Sequence, residues 1–338
     1  MRLLVSLILT LWAAATSAQN WEEQRIFGTQ ADAATRLWVL SSTDTALFEP
    51  VLESFLQTRP GVAVEYLVTG TADLDQVFRA DPAAFDVVIS SAMDLQLKLA
   101  NDGFARRLDG VSHPPRAQWR QSLFAFTTEP AAFVLNRAAF AGQPLPRTRQ
   151  GLIRALRADP ETFRGRVGTY DVRQSGLGYL FATQDARASE TFWRLTEVMG
   201  ALEAQLYCCS GDMIEDVASG RLLVAYNVLG SYAAARHDLA DRIVIIAPED
   251  FPTTMMRTAF VSAQSSSPGP AEDLVRHIIA VQSADAGEDG YPLPPLAKTP
   301  AGTVPATIAL EPALITYLDR LKRRTFIREW ESAIIQGP

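Results

Sequence analysis

RLWVLSSTDTALFEPVLESFLQTRPGVAVEYLVTGTADLDQVFRADPAAFDVVISSAMDLQLKLANDGF, residues 36–104, decides the fold. Within it RLWVLSS (36–42), VAVEYLVTGT (62–71) and FDVVISS (85–91) are short apolar, β-rich runs. Each is followed by apolar residues at helical spacing: ALFEPVLESFLQTRPG, which stops at Pro60-Gly61; DLDQVFRADP; and AMDLQLKLANDGF, with Gly103 as its stop. Three consecutive strand-to-helix units predict a parallel sheet with right-handed crossovers. The strand ends carry Ser41-Ser42-Thr43, Thr69-Gly70-Thr71 and Ser90-Ser91. Open α/β sheets place ligands at the carboxyl ends of strands, so these hydroxyls and the helix starts beside them are expected to share one mouth. Any one cluster alone reads as a helix cap.

Downstream, FAFTTEPAAFVL (124–135) is an extended run, and Pro144 and Pro146 precede the helical RTRQGLIRALRADP. VGTYD (167–171) reads as a strand leading through RQSGLGYLFATQ into a helix, and ETFWRLTEVMGALEAQ as one long amphipathic helix. IEDVASG is a short helix; RLLVAYNV (221–228), RIVIIAPE (242–249) and MRTAFVSAQ are strands, and the remainder is mainly helical. A middle α/β block framed by two extended crossings predicts a chain that leaves one lobe, builds a second and returns. The expected division is 30–130 for the first part of lobe one, 131–245 for lobe two, and 246–338 for the return.

MRLLVSLILTLWAAATSA (1–18) has a basic start, a short apolar core and small residues before Gln19, the pattern of a cleaved secretory signal. Its apolar run is short of the roughly 20 residues a spanning helix needs, which places the rest of the chain in the periplasm. With 38 Asp and Glu against 31 Lys and Arg, the chain has a formal charge of −7 and suits neither nucleic acid nor an anionic surface. The two cysteines, Cys208 and Cys209, are adjacent, which matches neither zinc-site nor thioredoxin-type spacing. A disulfide between neighbours, two free thiols and pairing with another chain all remain open, because adjacent residues rarely meet disulfide geometry. No G-x-S-x-G, H-E-x-x-H or P-loop pattern occurs, and His113, His237 and His277 sit in surface or capping contexts, so no enzyme activity and no cofactor are expected.

FLQTRPGVAVEYLVTGTADL, FDVVISSAMDLQLKLANDGF, SLFAFTTEPAAFVLNRAAF, LPRTRQGLIRAL, GTYDVRQSGLGYLF and IEDVASGRLLVAYNVLGSYAAAR resemble, in this order, the periplasmic solute-binding proteins of ABC importers, type II, in the branch that includes ferric-ion-binding proteins. The resemblance implies two α/β lobes, each a mainly parallel sheet flanked by helices, joined by hinge strands. It also implies a monomer that closes over a small ligand and delivers it to permease and ATPase subunits, or reports it to a sensor kinase. Iron binders of this branch use two neighbouring tyrosines, a histidine after the first strand and an acidic residue. Here only Tyr232 stands at the tyrosine position, SST replaces the histidine, and Asp73 is the nearest acidic residue. If the ligand were iron, Tyr232 would hold it.

The residues therefore point to a small organic anion bearing a carboxylate, phosphate or phosphonate. Neutral donors suit it: Ser41, Ser42, Thr69, Thr71, Ser90 and Ser91 from lobe one, and Ser175, Gly176, Asn227, Ser231 and Tyr232 from lobe two. Ser175-Gly176 opens a helix, whose start favours negative charge, and Arg173 beside it reads either as a two-pronged contact with the anion or as a solvated surface charge.

Overall fold

The fold is described from a computed structural model covering residues 21–28, 33–283, 291–297 and 307–336. The expected signal at 1–18 lies outside the described residues. The first lobe runs β1 (Glu23–Phe27), β2 (Thr35–Ser41), α1 (Thr45–Thr58), β3 (Val62–Val68), α2 (Thr71–Ala80), β4 (Val87–Ser90), α3 (Met93–Asn101), β5 (Gln118–Trp119) and β6 (Leu123–Ala125). The chain then crosses into β7 (Glu129–Asn136), α4 (Arg149–Ala158), α5 (Pro160–Phe163), β8 (Val167–Tyr170), α6 (Gly176–Ala188), α7 (Thr191–Ala201), β9 (Gln205–Tyr207), α8 (Ser210–Ser219), β10 (Val224–Leu229), α9 (Gly230–Ala235), β11 (Ile243–Ile246) and β12 (Thr254–Met255). It returns through β13 (Thr258–Val261) and α10 (Pro268–Val281), which pack in lobe one, and ends with α11 (Arg320–Ile334), whose Phe326, Trp330 and Ile334 pack in lobe two, so α11 departs from the expected assignment of 246–338 to lobe one.

Two mixed sheets result, ordered β1-β3-β2-β4-β13-β6-β5 and β11-β7-β10-β8-β9, with β12 paired to β7. The first has a parallel centre, β3-β2-β4, with antiparallel flanks, and the second has a parallel side, β10-β8-β9, joined to antiparallel β7 and β11. The parallel pairings follow from the strand-helix alternation. The antiparallel flanks are contributed by the crossing segments and by β1.

Local physics explains where the sequence patterns and the elements part. The extended run at 124–135 divides into β6 and β7, which lie in different sheets, because Thr127 and Glu129 turn into a buried polar junction. The long amphipathic helix stops at Ala201: Glu203 takes a left-handed backbone (φ 57°), and the chain leaves it as β9. The polar segment after the signal pairs along β3 as β1, with Phe27 packed into the lobe-one core.

At the two crossings sits a fully buried ion pair. Arg257 Nε lies 3.1 Å and Nη2 3.2 Å from the Glu129 carboxylate, with both side chains at 0% exposure. Thr127 Oγ1 donates to Glu129 over 2.7 Å and accepts the Arg257 N–H at 2.9 Å; Ser231 also donates to Glu129. Arg257 Nη1 donates to Thr43 Oγ1 in lobe one over 2.6 Å, and its guanidinium lies 5.7 Å from the Tyr232 ring centroid in lobe two. Burial alone would lower the Arg257 pKa, but the Glu129 charge outweighs it and the guanidinium stays ionised. Removing one partner leaves a buried charge uncompensated. Arg257→Met is expected to cost about 3–5 kcal/mol in denaturant unfolding, and adding Glu129→Gln should recover a large part of it; an additive double variant would show that the pair is not coupled.

Candidate functional site

Between the sheets lies a cavity of about 410 Å³, closed on one side by strand ends of lobe one and on the other by the starts of α6 and α8. The lobes touch across it. Leu177 N–H donates to Thr71 Oγ1 over 3.2 Å, and the Tyr232 hydroxyl lies 3.1 Å from Asp44 Oδ1. Gly176 is packed so tightly that a Cβ there would meet the Thr71 carbonyl at 3.0 Å, so only glycine lets this helix start approach lobe one.

Six of the residues expected from sequence line the cavity: Ser42, Thr69, Thr71, Ser91, Ser175 and Tyr232. The others serve the frame. Ser41 Oγ accepts from Tyr66 at 2.7 Å and from the Thr43 N–H at 3.0 Å, while Ser90 bonds Ser42 and the Ala92 N–H. Ser231 is committed to Glu129, and Gly176 packs on Thr71. Asn227 adopts φ 63° at an irregularity of β10 and donates over 2.8 Å to Asp185 in the core of lobe two, where Arg149 and Tyr226 share the same carboxylate. The anion-binding expectation for Arg173 is corrected: both prongs of its guanidinium are on Asp171, at 2.8 and 2.7 Å, and its remaining nitrogen is 3.1 Å from Glu331. Ser175 caps its own helix by accepting the Gly178 N–H at 3.0 Å.

A second correction concerns charge. Neutral donors do not line the cleft alone, because Glu22, Glu23, Asp44 and Asp212 line it as well. Glu22 arrives on the segment entering β1, whose Glu22 N–H bonds the Val68 carbonyl at 2.9 Å. Its carboxylate reaches the start of α2: a Cβ built on Gly70 would stand 3.4 Å from Glu22 Oε1. Glu23 accepts the Thr45 N–H at 2.9 Å, filling the start of α1 with a carboxylate of the chain itself. Asp44 and Asp212 are exposed to the cleft. The protein mass around Glu22, and next the charges of Asp44, Asp73, Glu23 and Asp212, raise its carboxyl above the ordinary range. Burial likewise raises Asp44, against the stabilising hydrogen bond from Tyr232. Sequence reading passed over Glu22 and Glu23 because they follow the signal in a stretch whose polarity hides a strand; the only cue was Ile26-Phe27 at its end.

Cys208 and Cys209 are joined in a disulfide that forms part of the cavity wall and leads into α8, with Cys209 at its N-cap. They and Asp212 are the one group of three His, Cys, Asp or Glu residues among the described residues whose ligand atoms lie within 4.8 Å of one another. Two of those atoms are spent in the disulfide, so no preformed carboxylate chelate for a hard cation is present among the described residues. Burial also pushes the Tyr232 hydroxyl well above its usual pKa, which disfavours a phenolate.

No sequence-family model matches the chain, and no curated protein does. Among solved structures, it is similar to the substrate-binding protein of the ABC transporter from Agrobacterium tumefaciens at 30% identity and TM-score 0.83, covering 92% of this chain and 98% of that one. It is similar in fold to the periplasmic binding protein AfuA from Actinobacillus pleuropneumoniae, solved with fructose-6-phosphate (14% identity, TM-score 0.68, 90% and 100% covered), and to iron-bound HitA from Pseudomonas aeruginosa (15%, 0.64, 88% and 99%).

Two measurements check this site. Alkylating the unfolded protein without reductant should add no alkyl groups by intact mass, and two after reduction; two without reduction would remove the disulfide. A carboxyl whose folded pKa is raised costs stability only while ionised, so the cost is complete above the folded value and absent below the unfolded value of about 4. Glu22→Gln should therefore raise the melting temperature near pH 7, with the gain shrinking to nothing as pH falls towards about 4.

Proposed function

Because the chain belongs to the substrate-binding proteins of ABC transporters, we propose that it captures a small polar solute bearing amine or hydroxyl donors in the interlobe cleft, in the periplasm, and hands it to a membrane permease driven by an ATPase. One observation supports the ligand class above others: Glu22, Asp44 and Asp212 present carboxylates to a cavity of about 410 Å³ with no cationic side chain in its lining. A cationic or hydroxyl-rich solute offers donors to those acceptors and relieves their mutual repulsion on closure. The free hydroxyls of Thr69 and Ser91 and the apolar patch of Leu177, Leu229 and the disulfide supply the remaining contacts.

A second reading, a small organic anion, is favoured by the starts of α2 and α8, which open on the same cavity with unpaired N–H groups. Ferric ion is the third, with Tyr232 and Asp44 as its oxygen donors. A sensory output through a kinase is a further alternative. One structural neighbour is described as a two-component system protein mediating signal transduction; at 15% identity it speaks to fold alone.

Thermal shift and calorimetry over amines, amino acids, sugars, organic acids, phosphates and ferric citrate test these readings. A donor-rich solute should stabilise the protein, by about 2.7 kcal/mol at a concentration a hundredfold above its Kd. Asp44→Asn or Asp212→Asn should weaken its binding about tenfold or more. A sole response to an organic anion would transfer the conclusion to the second reading, and a sole response to ferric citrate, lost in Tyr232→Phe, to the third. No response in any class, with no compaction by small-angle scattering, would end the solute-binding reading altogether.

A further inference from the structure

Helix α11 begins with RLKRR, and five cations fall within its first nine residues: Arg320, Lys322, Arg323, Arg324 and Arg328. Folding accounts for only one of them: Arg323 packs over the Tyr179 ring and its charge reaches the buried Asp94, whereas Arg320, Lys322, Arg324 and Arg328 have no such role among the described residues. The helix start is already served by Asp319, whose carboxylate accepts the Leu321 and Lys322 N–H groups at 3.1 Å each, and cations placed in the first turn oppose the helix dipole. Arg320 and Arg324, and again Arg324 and Arg328, are spaced i,i+4 and so repel one another. Among the described residues none of the five pairs with a carboxylate, whereas about half of the other described arginines do. Of the acids beside the patch, Asp319 is spent on the helix N-cap, and Glu331, which lines the concavity, is engaged by Arg173 at 3.1 Å.

The arrangement has a defined shape. Phe326, Trp330 and Ile334 anchor α11 against lobe two, which turns the opposite face to solvent. At the crest of that face stands Leu321, 61% exposed, with Arg324 and Arg328 at i+3 and i+7 on the same side. A shallow concavity of about 460 Å³ runs beside it, lined by Arg320, Arg323, Arg324, Arg328 and Glu331 with Leu318 and Ile327. Arg323 is held there with its guanidinium 5.3 Å from the Tyr179 ring centroid. Cations surrounding an outward apolar side chain on a fixed helix match the boundary of an anionic bilayer, where phosphate groups meet the arginines and acyl chains meet the leucine. An acidic protein surface would satisfy the charges and leave Leu321 without a counterpart.

We infer that the solvent face of α11 is a site for phosphate-bearing headgroups, by which this otherwise acidic protein rests on the anionic bilayer that carries its permease. This sets a local basic face against the expectation from net charge that the chain does not suit an anionic surface, adds a membrane contact to the family assignment, and is independent of the solute bound in the cleft. The test is co-sedimentation of the mature protein, at low ionic strength, with vesicles of phosphatidylcholine alone or mixed with phosphatidylglycerol. The protein should bind the mixed vesicles and not the neutral ones, and binding should fall steeply with added salt. The variant R320Q/R324Q/R328Q should lose about a hundredfold in partitioning. Leu321→Asp should also weaken it, and circular dichroism should show both variants folded. Inorganic phosphate at millimolar concentration should compete only weakly. Equal binding to both vesicles, no binding to either, binding unchanged in both variants, or full displacement by inorganic phosphate would each overturn the proposal. The last result would mark a soluble-anion site, and capture by an acidic protein with no vesicle binding would mark a protein interface.

Discussion

The buried pair of Glu129 and Arg257 is the constraint on which the two-lobed arrangement depends. Each residue lies on one of the two segments that pass between the sheets, so one interaction fixes both crossings relative to each other. Through Thr43 it reaches lobe one, and through Ser231 and the Tyr232 ring it reaches lobe two. Two charges out of water are unfavourable unless every polar atom is matched, and here Thr127 bonds both members. The same matching places Tyr232 beside Asp44 at the mouth of the cleft. Geometry at the hinge and geometry at the ligand site are therefore one network.

The cleft that follows is not the one that the hydroxyl-rich strand ends suggest. Ser and Thr at the ends of β2, β3 and β4 do converge, but about half of them are consumed in holding the loops: Ser41 on Tyr66 and Thr43, Ser90 on Ser42 and Ala92. Carboxylates from outside those motifs set the electrostatics. Glu22 and Glu23 come from an edge strand added to β3, and Asp212 from the first turn of α8 behind the disulfide. A helix start that already holds a carboxylate has less to offer a second anion, which is the physical ground for the donor-bearing solute proposed above.

The repeating strand-helix pattern between Arg36 and Phe104 carried the lobe-one architecture, since period and turn residues there are set locally. Resemblance along the rest of the chain carried the family. What sequence could not show were features decided by tertiary partners. Arg173 looks like a free anion-binding arginine until Asp171, two residues away, is seen folded back onto it. Asn227 looks like a strand-end donor until its left-handed backbone turns it towards Asp185. Helix α7 reads four residues too long because Glu203, an ordinary helix former, adopts positive φ there. The adjacent cysteines were ambiguous by composition, and only their joined sulfurs in the cleft wall decide among the three possibilities.

The return of the chain into the first sheet also governs how the molecule is made. Strand β13 completes that sheet by pairing with β4, and Thr258 meets Ser90 across 168 positions of sequence. The second sheet, by contrast, is drawn wholly from the uninterrupted stretch between Glu129 and Met255. Closing so long a loop is entropically costly and slow, whereas the inserted stretch forms from nearer contacts. The sheet of lobe two accordingly needs only its own stretch of chain, while the earlier-synthesised half of lobe one waits for β13 with its β4 edge unpaired. Lobe two is nonetheless finished only when α11, far along the chain, docks Phe326, Trp330 and Ile334 into its core, so each lobe is closed by a segment made after the other lobe's strands.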